Sequence, residues 1–198
     1  MKTLILSVLF ISSFAQAKEI TNIPEIGPHQ AIFHVEKNVH PENIVVVYTK
    51  TDSQCRFVTD PANRDQPVFD FYWLIDGKDY KQMNSLIKNE FHKRMTFVAG
   101  ATPTLFQLEA NDLKEVKHDL GAHPRFDVLA TTASGSCDVQ AFITLGPSDG
   151  NARIRLDAIY GEGSAFPPSV DAVTLKGEVI TPDGRGTGKM ISHRYSAN

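Results

Sequence analysis

A period of two dominates this chain and limits what it can fold into. In NARIRLDAIY, Ala152, Ile154, Leu156, Ala158 and Tyr160 fall on one side of an extended backbone, and Arg153, Arg155 and Asp157 fall on the other. CDVQAFITL repeats the pattern, with Cys137, Val139, Ala141, Ile143 and Leu145 on one face and Asp138, Gln140 and Thr144 opposite. AIFHVE aligns Ala31, Phe33 and Val35, and VDAVTLKGEVI aligns Val173, Leu175 and Val179. NIVVVYTK is β-branched and nearly continuous, as a strand covered on both faces would be. Side chains alternate between the faces of a strand, so these segments are built for sheets with one apolar side. CRFVT, MTFVAG, TLFQLEA, KEVKH, RFDVLA and KMISHRY are shorter strand candidates, separated by turn-forming Gly, Pro, Asn and Asp. The expectation is a mainly β domain, a single β-sandwich or flattened barrel of about ten strands.

One segment breaks the period. PVFDFYWLIDG begins as a strand, with Phe69, Phe71, Trp73 and Ile75 on one face, but Tyr72 and Leu74 make the other face partly apolar too. After Asp76-Gly77, Met83, Leu86, Ile87 and Phe91 follow helical spacing. Asp79 and Gln82 fit a capping box, and His92, Lys93 and Arg94 fall where positive charge suits a helix C-terminus. The spacing predicts one helix over Tyr80–Lys93, packed across the sheet to cover the second apolar face of the Trp73 strand. The aromatic cluster then reads as core. Tyr72 is its one member that also suits a ligand, because its hydroxyl needs a partner or water.

The N-terminus reads as an address. Lys2, the apolar run Leu4–Phe14 and the Ala15-Gln16-Ala17 site form a signal-peptide pattern, with cleavage expected after Ala17. The run is too short for a mature transmembrane anchor, and no later segment is long enough to be one. Residues 18–198 then make a single β-rich domain of about 181 residues, large enough to bury a core without a metal. The chain has 20 basic and 23 acidic residues and no basic block, which argues against nucleic-acid binding. Export to the periplasm or the medium favours a disulfide between the two cysteines, Cys55 and Cys137. Neither has the neighbours that activate a thiolate.

Several patterns invite chemistry. His34 and Glu36 share a strand face, but the zinc deaminases that use this pairing also need a Pro-Cys-x-x-Cys element, which is absent. A solvated strand face is the expectation for them. His118 and His123 lack further ligands at metal spacing, so no metal and no cofactor is expected. GRGTGK fails the phosphate-loop pattern, since Met190 stands where Ser or Thr is required, and reads as a hairpin turn. YGEGSAFPPS places Glu162 between two glycines and Phe166 before two prolines. Glycines permit close backbone approach and loops often carry binding residues. Tyr72, Tyr160, Glu162 and Phe166 are therefore the ligand-binding candidates. No nucleophile elbow and no His-Glu-x-x-His is present.

The order of segments resembles a family. Phe33-His34, Pro67-Val68 with Tyr72-Trp73-Leu74, Leu175-Lys176-Gly177 and Thr187-Gly188-Lys189 are similar to motifs of the exported bacterial proteins catalogued as domain of unknown function 4833. The resemblance covers about Ile32 to Tyr195. The chain departs from the pattern at FHKRM, where the family's helix ends differently, and in lacking an acidic residue after the Thr-Gly-Lys strand. The resemblance implies an exported, single-domain, β-rich protein and supplies no catalytic residue. The leading expectation is a non-enzymatic binding module for a small apolar or amphipathic ligand or an envelope partner. The competing expectations are a cell-envelope hydrolase using Glu162 or a cluster around His34 and Glu36, and a structural interaction protein without a pocket.

Overall fold

A computed structural model describes residues 23, 26–27, 29–37, 43–75, 79–98, 102–110, 125–133, 135–163 and 171–196. The signal-peptide pattern, the KEVKH strand, His118, His123 and Phe166 lie outside the described residues. The chain is mainly β, as the alternation requires. In order, its strands are β1 (His29–Lys37), β2 (Asn43–Lys50), β3 (Thr59–Asp60), β4 (Asn63–Pro67), β5 (Phe69–Ile75) and β6 (Asp79–Gln82). Helix α1 (Ser85–Arg94) follows, then β7 (Met95–Val98), β8 (Leu105–Ala110), β9 (Arg125–Ala133) and β10 (Ser136–Thr144). The last three are β11 (Arg153–Glu162), β12 (Ala172–Ile180) and β13 (Gly186–Ser196). Strands β3 and β4 form a small separate sheet.

The other eleven strands form one mixed sheet that branches at β11. The first half of β11 pairs antiparallel with β10, from Arg153 with Thr144 to Leu156 with Ala141. Its second half pairs in parallel with β1, from Ala158 with His34 to Gly161 with Lys37. Along the other edge, β12 follows both halves and pairs in turn with β13. The register of β11 against β12 slips between Leu156 and Ala158, leaving Asp157 as the extra residue of a bulge. Bulges bend the strand that carries them. The bulge demands Gly177 on the partner strand, where a side-chain carbon would stand 2.1 Å from the Arg155 carbonyl oxygen.

From this branch one arm runs β1-β2-β5-β6 and the other runs β10-β9-β8-β7. Their inward faces share one core, which joins Phe33, Val47 and Phe71 of the first arm to Leu108, Phe126 and Val128 of the second. Phe33 lies 5.7 Å from Phe126, ring to ring. This is the physical reason the alternation is so regular: each arm buries one face against the other.

The helix differs from the sequence expectation in start and in placement. Residues 79–82 pair with β5, Leu74 opposite Tyr80, and the Tyr48 hydroxyl donates to the Tyr80 hydroxyl at 2.7 Å. Capping passes to Asn84, whose side chain accepts from the Ile87 amide at 3.0 Å. The helix is held to β5 by Phe91, packed 5.3 Å from Phe71 and 6.2 Å from Trp73, together with Lys88 and His92. Leu86 and Ile87 are exposed. The helix therefore lies on the core face of β5. The opposite face, with Leu74, Val46, Ile44 and Tyr48, is packed by Tyr72, Tyr80, Ile23 and Ile26.

CRFVT does not form one strand: Cys55 belongs to a turn, Phe57 makes an isolated bridge with Thr51, and Thr59 begins β3. The Asp52 carboxylate accepts from the Gln54 and Arg56 amides at 2.9 and 3.0 Å, holding Cys55 between them at φ 58°. This turn presents Cys55 to Cys137 at the start of β10, and the two form a disulfide with their Cα atoms 5.3 Å apart. The bridge closes a separation of 82 residues and ties the β2–β3 connection to the second arm. Chain entropy assigns such a loop about 4–5 kcal/mol. Reduction should lower the melting temperature of the folded protein by about 10 °C or more. A calorimetric scan unchanged by reductant would contradict this.

Candidate functional site

A cleft of about 480 Å³ opens between β5, α1 and β7. Its construction follows from the packing of Phe91. With Phe91 seated on Phe71, Lys88 and His92, one helical turn apart, face the start of β5. The chain passes from α1 into β7 without a loop, and the Met95 amide donates to the Phe91 carbonyl. Met95 is buried, so Thr96 and Phe97 are set against His92 as the third wall. Asp60 and Gln66, from the small β3–β4 sheet, line the remaining side.

The cleft combines an aromatic surface with charge. The His92 ring lies 4.9 Å from Phe69 and 5.0 Å from Phe71. Lys88 Nζ and Asp70 Oδ1 form an ion pair at 2.6 Å, and the same oxygen accepts from the Phe71 amide. Burial lowers the pKa of His92, the Lys88 charge adds to the effect, and Asp70 opposes it. The imidazole is therefore neutral at neutral pH, with one donor and one acceptor to offer. The side chains of Gln66, Thr96 and His92 make no hydrogen bond to another described residue. Among the described residues no group of three or more His, Cys, Asp or Glu could hold a metal ion. This arrangement can receive a small molecule that has both an apolar face and hydrogen-bonding groups.

The residues singled out from sequence fall elsewhere. Tyr72 packs edge-on against Tyr48 at 5.4 Å and His29 at 5.8 Å, on the far face of β5. Tyr160, on β11, has Lys176 Nζ 5.4 Å from its ring centre. Glu162 is held by Arg194 through two bonds, at 3.0 and 2.8 Å, which keep its carboxyl below the usual carboxylate range. The structure thus distributes these three candidates over two strands and places none in the cleft. Phe69, Asp70, Lys88 and His92 were not singled out, because Phe69 read as core and His92 as a helix-end charge. The one available signal was the i, i+4 spacing of Lys88 and His92 beside an aromatic strand.

His34 and Glu36 are not a solvated face. They are 7% and 9% exposed, and His34 Nε2–H donates to Glu36 Oε1 at 2.9 Å. Lys176 Nζ reaches the other carboxylate oxygen at 3.4 Å from β12. The parallel pairing of β1 with β11, and of β11 with β12, brings them together. The His34 bond, aided by Lys176, lowers the Glu36 pKa against the opposing effect of burial. His34 Nδ1 is buried without a partner among the described residues.

No family model, no curated protein and no solved structure matches this chain.

Glu36 and His92 link stability to pH with the same sign, and Asp157, whose carboxyl pKa is raised by burial, opposes them at the acid end. Glu36 binds its proton less readily in the fold, so its contribution is complete above the ordinary value of 4.5 and is lost as pH falls through its folded value. His92 also titrates lower in the fold, so the unfolded chain protonates first as pH falls below 6.5, and stability drops with it. The melting temperature should therefore begin to fall below about pH 6.5, from His92, and fall further below about pH 4.5, from Glu36. Glu36→Gln should cost about 1–3 kcal/mol at neutral pH and flatten the acidic part of that profile. An unaltered denaturation midpoint at pH 7 would show that the buried pair contributes nothing.

Proposed function

We propose that this chain is an exported, non-enzymatic binding protein that takes a small amphipathic ligand in the cleft between β5 and α1. One observation carries the reading: polar side chains with no hydrogen bond to another described residue line the same space as the Phe69 and His92 rings, which lie 4.9 Å apart. Side chains of this kind, clustered in a concave surface, bind and orient ligands. The cysteine bridge supports an oxidising compartment, periplasmic or extracellular, in keeping with the leader pattern at residues 1–17. Membership of the exported family of unknown function resembled at Phe33-His34, Tyr72-Trp73 and Leu175-Lys176-Gly177 belongs to the same reading. Among the described residues no helix is long and apolar enough to cross a membrane.

A hydrolytic reading draws on the four titratable groups of the cleft, Asp60, Asp70, Lys88 and His92. It is the weaker one. Asp70 is bonded to Lys88, and no carboxylate among the described residues is bonded to His92 to orient it as a general base.

The test is a native mass spectrum of the mature protein purified from exporting cells without refolding. A small molecule should persist on the wild-type chain and be absent from Thr96→Trp, which fills the cleft from an already half-buried position. A molecule retained by Thr96→Trp but lost from Glu162→Gln would move the site to the β11 end. Bare chains throughout would turn the reading towards a protein-binding partner.

A further inference from the structure

We infer that the ligand class of the β5–α1 cleft is a neutral saccharide ring, an inference that rests on the cleft being the binding site. The argument is one of matching donors, acceptors and charge. Asp60 and Asp70 only accept hydrogen bonds, Lys88 only donates, and Gln66, Thr96 and neutral His92 can each do both. A ligand that satisfies them must offer donors and acceptors around its whole rim.

Other chemistries fit less well. Among the described lining residues an anion would find one cation, Lys88, already neutralised by Asp70 at 2.6 Å. An organic cation would find Asp70 already paired with Lys88 and would leave Gln66 and Thr96 without acceptors. A purely apolar ligand would strip water from the Asp70–Lys88 pair with nothing in return, and removing solvent from an ion pair is costly. A pyranose carries hydroxyls that donate and accept at every edge, and its axial C–H groups form an apolar face. Phe69 and Phe97 supply apolar aromatic surface for that face, and the His92 ring lies tilted, 4.9 Å from Phe69. The volume of about 480 Å³ lies in the range of small-molecule sites, about 300–1,000 Å³. Free sugars and the ends of envelope glycans share this ring chemistry.

Isothermal titration of the mature protein with four sugars and two charged probes tests the inference. The sugars are glucose, cellobiose, N-acetylglucosamine and chitobiose, and the charged probes are benzylamine and benzoate. At least one sugar should bind with one-to-one stoichiometry. Binding should weaken about tenfold or more in Lys88→Ala and in Gln66→Ala, each the loss of a polar partner, and vanish in Thr96→Trp. Lys88 and Gln66 lie at the surface rather than in the core, so unchanged melting curves will show that these variants fold. Preference for the N-acetylated pair would point to a glycan source, and preference for glucose or cellobiose to free sugars. Saturation by benzylamine or benzoate while every sugar fails would overturn the saccharide inference and leave the cleft as the binding site. Sugar binding that survives Thr96→Trp would overturn it too. Failure of every probe, together with a bare native mass spectrum, would remove both.

Discussion

Everything in this fold hangs on one strand edge. β11 offers its first half to β10 and its second half to β1, on the same side, while β12 runs along the other side. A flat strand would hold two neighbours end to end in one plane. The extra residue at Asp157 bends it, and the two arms separate enough to trap a shared core. The bend in turn requires Gly177, because no other residue lets β12 stay paired across it. The parallel pairing also moves His34 and Glu36 under Lys176, so a buried charged cluster is a direct consequence of the branch.

The cleft depends on a smaller contact in the first arm. A ten-residue helix with two exposed apolar side chains is held by Phe91 on Phe71 and Trp73 and by Lys88 and His92 against β5. Those contacts and the loop-free passage into β7 set the spacing between α1 and the start of β5. With Phe91 turned into the core, Lys88 and His92 fall against the start of β5. The aromatic-rich stretch from Pro67 to Met95 is thus both core and site: Phe71 anchors the helix, and Phe69 forms the wall that the anchored helix leaves open.

Much of the fold was legible because period-two burial is a local property. The β10 and β12 segments read correctly from their own residues. The bulge at Asp157 instead shifts β11, so that Ile159, not Ala158 or Tyr160, joins Ile154 and Leu156 in the shared core. The turn before β13 spans residues 181–185. The cysteine pair was legible from its count and the leader pattern. The helix start was not. Asp79 and Gln82 satisfy a capping pattern locally, yet pairing with β5 and the Tyr48–Tyr80 hydroxyl bond prevail, and Asn84 caps instead. His34 and Glu36 alternate with core residues as a solvent face would, and only the long-range partner Lys176, 140 residues away, accounts for their burial. The cleft was hidden for the same reason: its walls come from β5, α1, β7 and the small β3–β4 sheet, and neither Asp60 nor Thr96 carries a pattern of its own.

The central claim is that ligand recognition is located between β5, α1 and β7. Backbone amide chemical shifts of the isotope-labelled mature protein, followed during titration with the tightest-binding of the molecules above, test it directly. The account predicts shift changes concentrated on Gln66–Asp70, Lys88, His92 and Met95–Phe97, with the amides of Tyr72, Tyr160 and Glu162 unmoved. Changes centred on Tyr160 and Glu162, or on the tyrosine-lined face around Tyr48 and Tyr72, would contradict it.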